Sequence, residues 1–105
     1  MAVRVSKADF EEKVLKADKP VLVDFYSDSC IPCKQMAGIL GDIEDENEDD
    51  IYIYKVNVNY DRELAEQYEV QSNPTLILFK DGQVKDRKVG ALKQADLNSW
   101  IEEQI

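Results

Sequence analysis

Apolar residues in this chain fall into alternating, continuous and helically spaced runs, and the order of those runs predicts an α/β domain. Val3-Arg4-Val5 alternates as a short strand does, and Ser6-Lys7-Ala8-Asp9 resembles a capping box with Asp where Glu is usual. Phe10, Val14 and Leu15 mark one face of the helix that follows, which should end between Asp18 and Pro20. Val21-Leu22-Val23-Asp24-Phe25-Tyr26 is apolar on both faces except at Asp24, the pattern of a strand covered on both sides. Met36, Ile39, Leu40 and Ile43 then recur at helical spacing. Gly38 and Gly41 weaken that helix by up to about 1 kcal/mol each relative to Ala. Residues 51–58 form the next strand, and residues 61–68 a short helix with Leu64, Ala65 and Tyr68 toward the core.

Residues 75–80 and 83–89 flank Asp81-Gly82, a favoured two-residue hairpin turn. Leu97, Trp100, Ile101 and Ile105 mark a last helix, whose start at Lys93 lacks a small polar cap and should be loose. The order βαβαβαββα implies one mixed sheet with helices packed on it. Strands joined through a helix should run parallel, with a right-handed connection. No repeat, low-complexity segment or linker interrupts the pattern. Residues 1–105 therefore form a single domain, with 44% apolar content to build its core.

Charge narrows the partners. Thirteen basic residues face 22 acidic ones, a net charge of −9, which argues against nucleic acid and disfavours anionic membrane surfaces. No stretch reaches membrane-spanning length. The charged start, Met1-Ala2-Val3-Arg4-Val5-Ser6-Lys7, has no apolar core of a signal peptide, so the cytoplasm is the expected compartment. Much of the acid lies in Asp42-Ile43-Glu44-Asp45-Glu46-Asn47-Glu48-Asp49-Asp50. That run reads as a solvated helix end and loop, or more sharply as a docking patch for a basic partner. Carboxylates there oppose the helix dipole, so this end should fray.

The chemistry gathers in Ser29-Cys30-Ile31-Pro32-Cys33-Lys34, which holds both cysteines of the chain. Residues before proline avoid the helical region, so Ile31 should be extended and a helix should begin at about Pro32. The sulfur of Cys30 would then lie over the first turn, where unpaired N–H groups and the helix dipole stabilise a thiolate. Cys33 sits on the same face, one turn deeper. One exposed thiolate with a sheltered thiol in reach is what dithiol–disulfide exchange requires. Half a zinc site is the first rival, but the chain offers no histidine and no further cysteine. A structural staple is the second, yet so short a loop removes little entropy from the unfolded chain. In a reducing compartment a catalytic pair is the better reading.

Several segments carry a wider similarity. They are Val23-Asp24-Phe25 before the C-x-x-C-Lys, Lys55-Val56-Asn57-Val58, Asn73-Pro74-Thr75, Phe79-Lys80-Asp81-Gly82, and Val89-Gly90-Ala91-Leu92. In this order and spacing the chain resembles the thioredoxin family over nearly its whole length. The resemblance implies a five-stranded mixed central sheet of order 1-3-2-4-5 flanked by four helices, and a cis peptide at Asn73-Pro74. It implies a protein-disulfide reductase working through a reversible Cys30–Cys33 couple in cell redox homeostasis, with no other cofactor and no metal. A thioredoxin reductase and disulfide-containing proteins are the partners implied, and the chain is expected to be a monomer. Cys30 attacks a partner disulfide, and Cys33 then attacks Cys30 to release the reduced partner. Asp24, a lone carboxyl in an apolar strand, is the candidate base for Cys33, because desolvation should raise its pKa toward neutrality. Its alternative is a carboxylate satisfied by nearby backbone or by Lys55, the lysine that matches the family lysine beside that acid.

Docking roles follow in the same way. Asn73, before Pro74, would pair its backbone with the partner peptide as an added strand. Gly90 matches a glycine beside the same groove, either because a side chain would obstruct the partner or because the turn needs positive φ. Pro32 is kept, so the couple should remain a reductant. Five positions depart from the family: Ser29 and Tyr26 stand where tryptophans are usual, Ile31 where glycine is, Asn73 where an apolar residue is, and Gly38 where many relatives have proline. Ser29, Ile31 and Asn73 reshape the rim where partners dock. Rival functions are an electron donor dedicated to one enzyme, a redox-silent binding module, and a disulfide-forming oxidase or isomerase. The last would usually carry a histidine between its cysteines, where this chain has Ile31-Pro32.

Overall fold

The computed structural model describes residues 2–105. Its elements are β1 (Val3–Arg4), α1 (Lys7–Phe10), β2 (Val21–Tyr26), α2 (Ile31–Glu46), β3 (Tyr52–Asn57), α3 (Arg62–Gln67), β4 (Thr75–Lys80), β5 (Gln83–Val89) and α4 (Gln94–Gln104). A π-helical turn, Glu11–Leu15, extends α1. The five strands form one sheet in the order β1-β3-β2-β4-β5. β1 and β2 run parallel to β3, while β4 is antiparallel to both β2 and β5. This is the mixed sheet and strand order expected.

Alternation along the two central strands builds a core on each face of the sheet. Val21, Val23 and Phe25 of β2, with Ile77 and Phe79 of β4, pack against Phe10, Val14 and Leu64. Leu22, Leu76 and Leu78 point the other way, onto Met36, Leu40 and Ile43 of α2 and Leu97, Trp100 and Ile101 of α4. Burying each such side chain stabilises the fold by about 1.5–3 kcal/mol. By the same alternation, Asp24 lies on the α2 face, the face that carries the cysteines.

Local chemistry corrects several expectations. Ser6 forms no capping bond to the backbone; its hydroxyl donates to Asp9 Oδ2 at 3.2 Å instead. The backbone N–H of Lys7 donates to Asp61 Oδ1 at 3.1 Å, so the start of α1 is closed by a residue beside α3. The Lys7 ammonium also pairs with Glu63. At the acidic end of α2 the Asn47 side chain donates to Ile43 O at 2.9 Å, and its own N–H also bonds Ile43 O. That cap opposes the fraying expected from the carboxylates. Ile105 does not join the core: it follows the last turn of α4 and is 44% exposed. Lys93 caps α4 without a side-chain bond, as expected, while the Trp100 indole N–H donates to Asp86 Oδ2 at 2.8 Å and pins the helix to β5.

The hairpin turn needs positive φ at both central residues, +54° at Asp81 and +77° at Gly82. A Cβ on Gly82 would lie 2.8 Å from the carbonyl oxygen of Leu15. Gly82→Ala should therefore destabilise the protein by roughly 1–3 kcal/mol, from backbone strain and the clash together. A urea melt with an unchanged midpoint would show that the turn relaxes freely.

Candidate active site

One end of the sheet collects the residues singled out from the sequence. Tyr26 at the end of β2 lies opposite Asn57 at the end of β3, and Phe25 lies opposite Thr75 at the start of β4. Thr75 in turn faces Val89 at the end of β5. The loops that leave this end carry Cys30, Asn73-Pro74 and Gly90. An open sheet binds its ligands at such an end, where the connections diverge.

Cys30 is the N-cap of α2, with extended backbone at φ −91° and ψ 109°. The helix starts at Ile31, one residue earlier than expected, because Cys30 and not Ile31 takes the extended conformation. Its sulfur accepts the backbone N–H of Cys33 at 3.2 Å. A sulfur so placed faces the positive end of the helix, where a thiolate is stabilised as an anion. The two cysteines are joined as a disulfide, with Cα atoms 5.2 Å apart. The Cys30 sulfur of that bond stands where the thiolate lies in the reduced form. Cys33 is 4% exposed, whereas Cys30 is only half-buried.

Asp24 is 4% exposed, and its Oδ1 has no hydrogen-bond partner among the described residues. Burial pushes its carboxyl up from 3.8 to about 7, with the charge of Lys55 offsetting part of that rise. Lys55 lies opposite Asp24 on β3 and is half-buried. Its ammonium sits 5.5 Å from the centre of the Tyr26 ring. A cleft of about 170 Å³ brings Asp24, Tyr26, Asp28, Cys33, Lys34 and Lys55 together. The carboxyl and the inner sulfur thus share one cavity, large enough for several water molecules. Ser29, Ile31 and Pro32 line no part of it; they are exposed around the outer sulfur, Ile31 at 70%.

The 73–74 turn lies at the same end of the sheet, before β4, and lines no part of that cleft. Asn73-Pro74 is a cis peptide, as the resemblance implied, with Asn73 half-buried and Pro74 buried. Thr75 Oγ1 donates to Ser72 O at 2.7 Å, and the Gly90 N–H donates to Pro74 O at 2.8 Å. Gly90 has φ +94°, which by itself accounts for glycine there. A Cβ on it would meet nothing within 4 Å, so any obstruction would fall on a docked partner and not on this chain.

Three supports escaped the sequence reading. Asn57, 2% exposed, donates to Asp28 Oδ2 at 3.3 Å and accepts the Asn59 N–H at 2.9 Å, tying two loops of the site together. The Leu92 N–H donates to Met36 Sδ at 3.4 Å, fixing the segment after Gly90 to α2. Val89 is 60% exposed and adds an apolar patch at the rim. A buried amide at the end of an apolar strand was the available signal for Asn57. The other two leave none in the sequence, since methionine and valine read as core.

Comparison with known proteins agrees with this geometry. The thioredoxin family model matches residues 1–103. A thioredoxin of Rickettsia bellii is 40% identical over 105 residues, covering 100% of both chains. One of Acidithiobacillus ferridurans is 44% identical over 101 residues, covering 96% of this chain and 94% of its own. One of Pseudomonas aeruginosa is 40% identical over 103 residues, covering 98% and 95%. Similarity that runs from end to end, through a chain whose cysteines close into a disulfide at the start of the second helix, shows that it belongs to the thioredoxin family of thiol–disulfide oxidoreductases.

Proposed function

We propose that the protein reduces disulfides in other proteins with Cys30 as the attacking thiol and Cys33 as the resolving one. The observation that carries this order is the unequal exposure of the two cysteines at the start of α2. The Cys30 thiolate attacks a partner disulfide, a mixed disulfide forms, and one partner thiolate leaves. The Cys33 thiolate then attacks the Cys30 sulfur, the second partner thiolate leaves, and two electrons have passed to the partner. Asp24 takes the proton of Cys33 through the shared cleft, and Lys55 moderates its basicity. Whole-length similarity to proteins named thioredoxin favours this reading over a redox-silent module, a disulfide-forming oxidase or a donor dedicated to one enzyme. Alkylating the reduced protein at mildly acidic pH should label Cys30 first, as read by mass spectrometry. Preferential labelling of Cys33 would reverse the assignment.

In the same reading the couple needs no dissociable cofactor and no metal, and a thioredoxin reductase re-reduces it. The chain acts as a monomer in the cytoplasm, on neither nucleic acid nor membrane; no helix among the described residues is long and apolar enough to cross one. The backbone of Asn73 receives the partner peptide beside Pro74, and Gly90 leaves that approach open. Ser29 and Ile31 flank the attacked sulfur, and Pro32 helps to hold the couple as a reductant.

The altered rim should be measurable in kinetics. Tryptophan is absent at position 29, and Ile31 places a branched, exposed side chain beside Cys30. Loss of one aromatic anchor commonly costs about 2 kcal/mol of binding, roughly a thirtyfold change in affinity. A standard bacterial NADPH-dependent reductase should therefore reduce this protein poorly, and Ser29→Trp/Ile31→Gly should raise kcat/KM. No gain in the double variant would remove the rim from partner choice.

A further inference from the structure

We propose that Tyr26 is a positioning residue that holds the Lys55 ammonium inside the cleft beside Asp24. Tyr26 and Asp24 are two residues apart on β2, so both side chains leave the same face of the sheet. Lys55 is the register partner of Asp24 on β3 and shares that face. Its ammonium lies 5.5 Å from the Tyr26 ring centre, within the range of cation–π attraction. All three residues line the cleft that also exposes Cys33.

A lysine ammonium is strongly hydrated and rides on a flexible stem, so its default is to reach outward to water. An aromatic face inside the cleft offsets that pull. The charged groups that line the cleft with Asp24 are Lys55 from β3, Lys34 from α2 and Asp28 from the loop between; Cys33 is held in the disulfide and does not titrate in the oxidised protein. From β4 the opposing residue is Leu76, which carries no charge. Lys34 and Asp28 are exposed and of opposite sign, so the half-buried Lys55 is the charge best placed to favour the carboxylate. Tyr26 thus acts on Asp24 through Lys55. Its consequence for proton transfer from Cys33 rests on the role of Asp24 proposed above.

The test is a carbon-detected NMR titration of the Asp24 carboxyl in the oxidised protein, for wild type, Tyr26→Leu, Tyr26→Phe, Lys55→Met and Tyr26→Leu/Lys55→Met. Losing the ring should raise the Asp24 midpoint by roughly half a pH unit, while Tyr26→Phe, which keeps an aromatic face, should leave it in place. In the Lys55→Met background Tyr26→Leu should add nothing. An unmoved midpoint in Tyr26→Leu, or an equal shift without Lys55, overturns the proposal. Should Tyr26→Leu fail to fold, Tyr26→Trp decides: its stronger cation–π face should lower the midpoint, and an unchanged or raised one overturns the proposal. Stopped-flow resolution rates separate the two readings. A moved midpoint with an unmoved rate supports the Tyr26 tether and removes Asp24 as the base.

Discussion

Replacing Cys33 with serine should halt the protein after one exchange and leave its target joined to Cys30. The substitution keeps the backbone N–H of residue 33, which is the donor to the Cys30 sulfur at 3.2 Å. The attacking thiolate therefore keeps its stabilisation, and the first step proceeds. What is lost is the second sulfur, the group that would displace the target from Cys30. Multiple-turnover reduction with a reductase as electron source should fall by roughly a thousandfold or more, as when a reacting group is deleted outright. Intact-mass spectrometry should find the covalent adduct with the target, and Cys30→Ser should give neither turnover nor adduct. Sustained turnover by Cys33→Ser would mean that resolution comes from a thiol on the partner.

Asp24→Asn should make the protein more stable at pH 8 and slower to resolve its mixed disulfide. The folded state holds this carboxyl near 7 against a usual value of 3.8, chiefly because burial disfavours the charged form. The folded state therefore binds a proton in a range where the unfolded chain has released it. The contribution of this group to stability is fully present below about pH 4 and is lost as pH rises through about 7, the reverse of a salt-bridged carboxylate. About three pH units of displacement correspond to about 4 kcal/mol once the group is fully ionised. An amide cannot ionise, so urea melts of Asp24→Asn should lack this decline. Its gain at pH 8 should approach that figure, which already includes the favourable charge of Lys55. The same change removes the group proposed as proton acceptor for Cys33, so resolution should slow more than attack in stopped-flow traces. A pH profile identical to wild type would show that Asp24 is not the group responsible, and an unchanged resolution rate would remove it from the mechanism.

These two results lie at opposite ends of what could be read in advance. Cys30 and Cys33 were legible because their chemistry follows from local order: a proline starts a helix, the helix start favours an anion, and three residues of spacing place the second sulfur on the same side. Asp24 was legible as an anomaly, a carboxyl in a run of Val, Leu and Phe. Its partner could not be read in that way. Lys55 stands 31 positions later, and only the parallel register of β2 with β3 sets it opposite Asp24. The family resemblance supplied that pairing, the cis peptide and the neighbourhood of Gly90, none of which follows from residue pattern.

Periodicity alone determined the number, type and order of the elements, because each run of apolar residues must bury one face whatever surrounds it. It also determined which helix faces would be buried, Phe10 and Val14 on the first and Met36, Leu40 and Ile43 on the second, but not which side of the sheet each would cover. The start of α2 is capped locally, by the sulfur of Cys30 three residues before its donor. The start of α1 was decided by a tertiary contact: Asp61 from beside α3 closes it and Ser6 does not. The cleft was decided by tertiary contacts too, since Tyr26, Cys33 and Lys55 meet around Asp24 only when the sheet and α2 are packed. A hydrophobic pattern records how much surface each residue hides. It does not record which polar atoms, brought from distant positions, will satisfy a helix end or set a charge beside a buried carboxyl.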